Sequence, residues 1–245
     1  MDSSNGPSEH LGQHQLVRVS ADSITLEGML DIPPGAQGLV LFAHGSGSSR
    51  HSPRNRYVAQ ALQQGGLATL LIDLLTSDEE RLDEVTAQLR FDIPLLARRL
   101  VGATDWLLHY PQTRRLRIGY FGASTGAGAA LVAAAERPGA IAAIVSRGGR
   151  PDLAGAALAR VRAPTLLIVG GYDEPVISMN EDALRRLTAE KRLTIVPGAT
   201  HLFEEPGTLE QVARLARDWF VSHLNTPPAA QPYAPSEAEQ PGAQS

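Results

Sequence analysis

The chain contains no cysteine. Disulfides, thiolate metal sites and a cysteine nucleophile are therefore excluded, and any covalent chemistry must use another group. Lysine is nearly as scarce. Lys191 is the only one, and its run Glu190-Lys191-Arg192 reads as solvated surface rather than as an imine-forming site. Aromatic residues make up only 5% of the chain, which argues against extended stacking surfaces for sugars or polymers. No apolar run approaches the roughly 20 residues needed to cross a bilayer; Ala127 to Ala135 is too short and too rich in Gly and Ala. Neither sign of charge dominates, with 22 Lys plus Arg against 26 Asp plus Glu, a net charge of −4. With a pI near 6.0 there is no electrostatic reason to expect a nucleic-acid or anionic-membrane partner. Met1 to Gln15 lacks both an apolar core and a positive cluster, so it does not read as a secretory signal, and a cytoplasmic location is expected.

What is present suits one large soluble domain: 245 residues, 43% hydrophobic and 20% charged. Residues 1–12 and 226–245 are rich in Pro, Ser, Gly, Gln and Ala and are expected to be disordered tails around a folded unit over 13–225. Short apolar runs at Ile24–Leu30, Leu39–Ala43, Ala68–Ile72, Leu116–Phe121, Ala140–Val145, Thr165–Val169 and Leu193–Val196 read as strands. From Leu39 onward they are nearly continuous, as parallel strands covered on both faces are. Helical patterns alternate with them: Arg56–Gln64, a helix capped by Asp92 with Leu96, Leu100, Ala103 and Leu107 on one face, and a last helix marked by Leu209, Val212, Leu215, Ala216 and Phe220. The pattern predicts an α/β fold, a doubly wound and mostly parallel sheet in one domain, with an antiparallel hairpin at its start. Over 77–92, a capping box from Ser77 and Glu80 followed by Leu82, Val85 and Leu89 predicts an extra helix, either a lid or a helix-packing element.

In such a sheet ligands meet the carboxyl ends of the strands. Directly after Arg117-Ile-Gly-Tyr-Phe121 comes Gly122-Ala-Ser-Thr-Gly-Ala-Gly128, a G-x-S-x-G between a strand and an Ala-rich helix. Its glycines permit a sharp turn that would project Ser124 from the sheet edge. The stretch matches neither a phosphate-binding P-loop nor the glycine spacing of dinucleotide sites, and no Tyr-x-x-x-Lys pair exists. A serine needs a base and the base needs an orienting acid. His201, on the loop after the last strand, is the best base, with His51 the nearest competitor. Asp173, directly after Thr165–Tyr172, is the first choice of acid, with Asp152 and Glu174 as alternatives. An oxyanion hole would use the N–H groups of Thr125 and of Ser46, within His44-Gly-Ser-Gly-Ser-Ser49, while His44 braces that loop. Arg147 and Arg150, past another strand, suit contact with a substrate carboxylate; equally, either suits a salt bridge to Asp152 or Glu174. Glu204 and Glu205 read as helix-start carboxylates of the final helix. No metal or cofactor is called for, and the expected partner is a small-molecule ester.

With those residues in view, the chain resembles the α/β-hydrolases, and more narrowly the serine-bearing relatives of the dienelactone hydrolase family. The resemblance runs from Leu16 to about His223, through His44–Arg50, Leu89–Ile93, Gly122–Gly126, Ser146–Asp152 and Gly198–Gly207. It implies metal-free hydrolysis of esters or lactones. Similar domains also occur fused to phosphoribosyltransferase domains, and no stretch of this sequence reads as one. Dienelactone hydrolases proper carry a cysteine nucleophile where Ser124 stands, so lactone specificity does not carry over and a carboxylesterase is the expectation. The competing class is a non-catalytic binding protein on the same scaffold.

Overall fold

The computed structural model describes residues 15–21 and 23–225; the predicted tails lie outside the described residues. The chain runs β1 (Gln15–Ala21), β2 (Ile24–Asp31), β3 (Gly38–Ala43), α1 (Pro53–Gln64), β4 (Leu67–Ile72), α2 (Ser77–Thr86), α3 (Ile93–His109), β5 (Arg117–Ala123), α4 (Thr125–Glu136), β6 (Ile141–Arg147), β7 (Thr165–Gly170), α5 (Glu174–Arg186), β8 (Lys191–Val196) and α6 (Thr208–Leu224). The strands form one sheet in the order β1-β2-β4-β3-β5-β6-β7-β8. β1/β2 and β2/β4 pair antiparallel, and every pair from β4 to β8 is parallel. This is the single-domain α/β-hydrolase architecture predicted from the sequence.

Hydrophobicity dictates the layering. All six residues of β3, β4 and β7 are buried, which explains their unbroken apolar runs. Helices α3, α4 and α5 cover one face, packing Leu100, Leu131 and Ala183 onto Leu41 and Ile144. Helices α1 and α6 cover the other, packing Leu62 and Phe220 onto Val40 and Phe121. The hairpin's first arm, β1, shows in the sequence only as alternation, with Val17, Val19 and Ala21 turned inward. The helix starts follow local chemistry. Ser52 caps α1 by accepting from Asn55 N–H, with Pro53 at the first position, and Asp92 caps α3 by accepting from Leu95 N–H at 2.9 Å.

Two sequence expectations need correction, and two elements were not predicted. The capping box of α2 is formed by Thr76 and Glu79, one residue earlier than Ser77 and Glu80, because Thr76 is the residue with extended backbone that can turn its hydroxyl onto Glu79 N–H. Leu82 and Val85 of α2 are 56% and 86% exposed, so they make no helix-packing face; the only fully buried residue of that helix is Asp83. Helix α5 and the 3₁₀ segment Pro151–Arg160 have no counterpart among the predicted elements. In α5 only Val176, Asn180 and Ala183 are buried, too sparse an apolar stripe to stand out.

The connections place the site. From β3 the chain passes through α1 to β4 on one side, and from β4 through α3 back to β5 on the other, so the strand order reverses at β3 and leaves a crevice beyond the carboxyl ends of β3 and β5. Ala43 and Gly122 are paired there, and the loops that follow carry His44–Ser49 and Ser124. Among the described residues, no helix is long and apolar enough to cross a membrane.

Candidate active site

Ser124 joins β5 to α4 with φ 50° and ψ −123°, a conformation that costs a non-glycine residue about 1–3 kcal/mol. Surrounding contacts hold it there. Its N–H donates to Arg147 O (3.3 Å), and its carbonyl accepts from Ala127 N–H (3.1 Å) and Arg150 N–H (3.0 Å). The glycines are required by space: a Cβ on Gly126 would lie 2.3 Å from Ala43 O, and one on Gly122 2.4 Å from Ala127 Cα. The serine hydroxyl makes no cap bond to its own helix, so it is left for other chemistry.

The structure brings the other two sequence-predicted residues together. His201 Nδ1 is 2.6 Å from Asp173 Oδ2, with the carboxylate mostly covered and the ring partly open. That contact depends on two interlaced loops. Tyr172 N–H donates to Ala199 O and Gly171 N–H to Val196 O, while a Cβ on Gly170 would collide with Ala199 O at 2.4 Å. A third strand end completes the neighbourhood: Arg147, whose carbonyl holds Ser124 N–H, precedes Gly148 (φ 50°), and a Cβ there would lie 3.6 Å from His201 Cε1. Ser124, Arg147–Gly148, Asp173 and His201 thus gather from the ends of β5, β6, β7 and β8. Of the alternatives, His51 is exposed, Asp152 is engaged by Arg150, and Glu174 is exposed in the first turn of α5.

Glu204 and Glu205 do not sit in the first turn of α6, which starts at Thr208. Glu205 accepts from Thr200 N–H and Thr200 Oγ1, closing the His201 loop, and the Thr200 bonds hold its carboxyl below the usual range. Glu204 pairs with Arg54 at 3.0 Å.

On the opposite flank His44 braces its loop as expected. Leu74 N–H donates to Nε2 (3.1 Å), so the proton is on Nδ1, which donates to Gly45 O (2.9 Å). Burial lowers its pKa and keeps the ring neutral. Ser46 and Thr125 do lie side by side, but Ser46 N–H donates to Thr125 Oγ1 at 2.9 Å rather than into open space. Both border a cavity of about 360 Å³ whose far wall is Glu80, Asp83 and Glu84 of α2. Asp83 fastens that wall, its carboxylate accepting from Leu89 N–H (2.7 Å), Arg90 N–H (3.1 Å) and Arg90 Nε (2.6 Å). Although covering the group raises its pKa, the Arg90 and Leu89 bonds lower it further, to a net value below the ordinary one.

The two candidate arginines separate. Arg150 is spoken for by Asp152, through Nε to Oδ1 (2.9 Å) and Nη2 to Oδ2 (2.8 Å), the salt bridge foreseen as the alternative. Arg147 is 7% exposed, its Nε is buried without a hydrogen-bond partner, and among the described residues no carboxylate pairs with it. Its guanidinium lies over the Phe203 ring, 5.9 Å from the centroid. Desolvation, with the nearby charge of Arg54, lowers its pKa to about 10, which leaves it cationic at neutral pH. Arg54 and Phe203 were not singled out in the sequence, since nothing local signals that residues 54, 147 and 203 meet. Among the described residues no group of three or more His, Asp or Glu is arranged to hold a metal ion.

The family model described as "Dienelactone hydrolase family" matches residues 26–224. The chain belongs to the dienelactone hydrolase family. A crystal structure of a dienelactone hydrolase from Anabaena variabilis is 68% identical, with a TM-score of 0.87, covering 88% of this chain and all of that one. Est1E from Butyrivibrio proteoclasticus shares the fold at 17% identity and TM-score 0.71, covering 85% of this chain and 98% of that one. A curated relative from Mycobacterium tuberculosis, named putative phosphoribosyl transferase, is 59% identical over 211 residues, 86% of this chain and 47% of that protein. The chain therefore spans about half the length of these curated relatives, and their name describes proteins about twice as long.

Proposed function

We propose that the protein is a serine hydrolase of small carboxylic esters, acting through Ser124, His201 and Asp173 and an acyl-enzyme. The observation that carries this reading is the 2.6 Å contact between Asp173 and His201, made on loops that also flank the strained elbow of Ser124. Ser124 Oγ attacks the ester carbonyl carbon, the carbonyl π pair moves onto oxygen, and His201 Nε2 takes the hydroxyl proton. Asp173 holds Nδ1–H and stabilises the imidazolium. Collapse expels the alcohol, which leaves with the proton from His201. Water, deprotonated by the same nitrogen, then releases the carboxylic acid and restores Ser124. Thr125 N–H, at the amino terminus of α4, supports the oxyanion. Arg147 is the residue suited to an anionic group on the substrate, being a cation without a carboxylate beside the nucleophile's strand; Arg150 keeps its loop in place through Asp152. Lactones and thioesters would pass through the same atoms, and the shape of the pocket sets the preference among them.

The test is labelling of the purified protein by a fluorophosphonate beside Ser124→Ala, followed by a panel of p-nitrophenyl esters from acetate to palmitate. Labelling that requires Ser124, turnover that fades with acyl length, and a loss of about 10³-fold or more in the variant are expected. Well-folded protein that neither labels nor hydrolyses any ester would favour the non-catalytic binding role.

A further inference from the structure

The peptide between Gly45 and Ser46 is held at both ends. Its carbonyl accepts from His44 Nδ1 (2.9 Å) and from Ser48 N–H (3.2 Å), and its N–H donates to Thr125 Oγ1 (2.9 Å). Fixing the carbonyl fixes the direction of the N–H, because the peptide is planar. Ser46 N–H is therefore already satisfied, and its polarity is delivered to the hydroxyl rather than to open space.

That hydroxyl has a proton to give. The threonines inside helices α2 and α3 send theirs to a carbonyl of the preceding turn: Thr104 to Leu100 O and Thr86 to Leu82 O. Thr125 is the first residue of α4, and the residue four positions back, Phe121, belongs to β5. Among the described residues no acceptor takes the Thr125 hydroxyl proton, and Thr125, which follows Ser124 in the chain, borders the cavity of about 360 Å³.

We propose that the Thr125 hydroxyl is itself an oxyanion-hole donor, relaying Ser46 N–H to the developing negative charge. This deepens the serine-hydrolase reading and rests on it. As Ser124 Oγ bonds to the carbonyl carbon and the π pair moves onto oxygen, that oxygen receives Thr125 N–H and Thr125 Oγ1–H. The hydroxyl's own oxygen is meanwhile polarised by the hydrogen bond from Ser46, so the chain from N–H through O–H to the oxyanion strengthens as charge forms. No proton changes owner in this relay. Its effect falls on the transition state rather than on substrate binding.

The experiment compares wild type, Thr125→Val and Thr125→Ser in steady-state hydrolysis of p-nitrophenyl acetate and in inhibition by a trifluoromethyl ketone, with fluorophosphonate labelling and thermal melting on each. Valine keeps the shape and removes the hydroxyl; serine keeps the hydroxyl and removes the methyl. The expected result is a fall in kcat of roughly 100-fold in Thr125→Val with KM within about threefold, matched by a similar weakening of the ketone. In Thr125→Ser both stay within about fivefold of wild type. Unchanged or raised kcat in a folded Thr125→Val overturns the relay and leaves the serine-hydrolase reading standing, as does a serine variant as impaired as valine. Wild-type protein that neither labels nor turns over esters overturns both.

Discussion

The two sides of the crevice are built on different physics. On the β5–β6 side, backbones approach so closely that Gly122 and Gly126 have no room for a methyl group, and Arg147 is buried there without a carboxylate partner. On the α2 side almost nothing is packed. Leu82, Val85 and Phe91 are exposed, and the arm is tied down by charges, Asp83 to Arg90 and Glu79 to Arg99 at 2.6 Å each. Steric contacts keep their geometry regardless of pH and salt, whereas ion pairs answer to both. The side that orients Ser124 is thus the invariant one, and the side that walls the cavity is the adjustable one.

Substitutions on each side should separate these regimes. The largest effect belongs to Gly126→Ala: with Ala43 O and His44 O at 2.3 and 2.4 Å from the new Cβ, the elbow must open, at about 3 kcal/mol or more and a fall in Tm of about 10 °C. A melting curve like that of wild type would show that the elbow is looser than its contacts imply. Arg147→Met sharpens the contrast by moving stability and function in opposite directions. Removing an unpaired buried charge is expected to raise stability by about 1–2 kcal/mol. It should also lower kcat/KM for carboxylate-bearing esters about tenfold relative to neutral ones. Equal changes on both ester classes would take Arg147 out of substrate recognition.

Across the crevice, Asp83→Asn leaves Leu89 and Arg90 amides with a weaker acceptor. Hydrogen exchange at those two amides should accelerate, with a cost of about 1–2 kcal/mol. Because the Asp83 pKa is lowered from 3.8, its contribution is fully present above that value and is lost as the pH falls below it. The arm should therefore loosen in acid before the sheet does, and exchange that stays uniform across both regions down to pH 3 would contradict this. Val85→Lys is the smallest perturbation, expected within about 0.5 kcal/mol of wild type, since that side chain touches little. A larger loss would mean that the exposed face of α2 is covered in solution.

Much of this arrangement is legible in the sequence, for a topological reason. In a parallel sheet each loop that can reach the crevice directly follows an apolar run, so Ser124 after β5, Asp173 after β7 and His201 after β8 can be picked out by position alone. The spacing of strands and glycines carries the class of fold. Other features were out of reach because they are contacts between distant segments. Arg54 meets Glu204 150 positions on, Ser46 N–H finds Thr125 Oγ1 79 positions on, and Arg147 rests on Phe203. Which of Arg147 and Arg150 would be paired depended on Asp152 lying within reach of one guanidinium only. Composition and periodicity report what each segment must bury, and so determined the layers, the strand ends and the residue types at the crevice. Partnership between buried polar groups depends on side-chain directions at a few ångströms, and those are decided only when both faces of the sheet have closed.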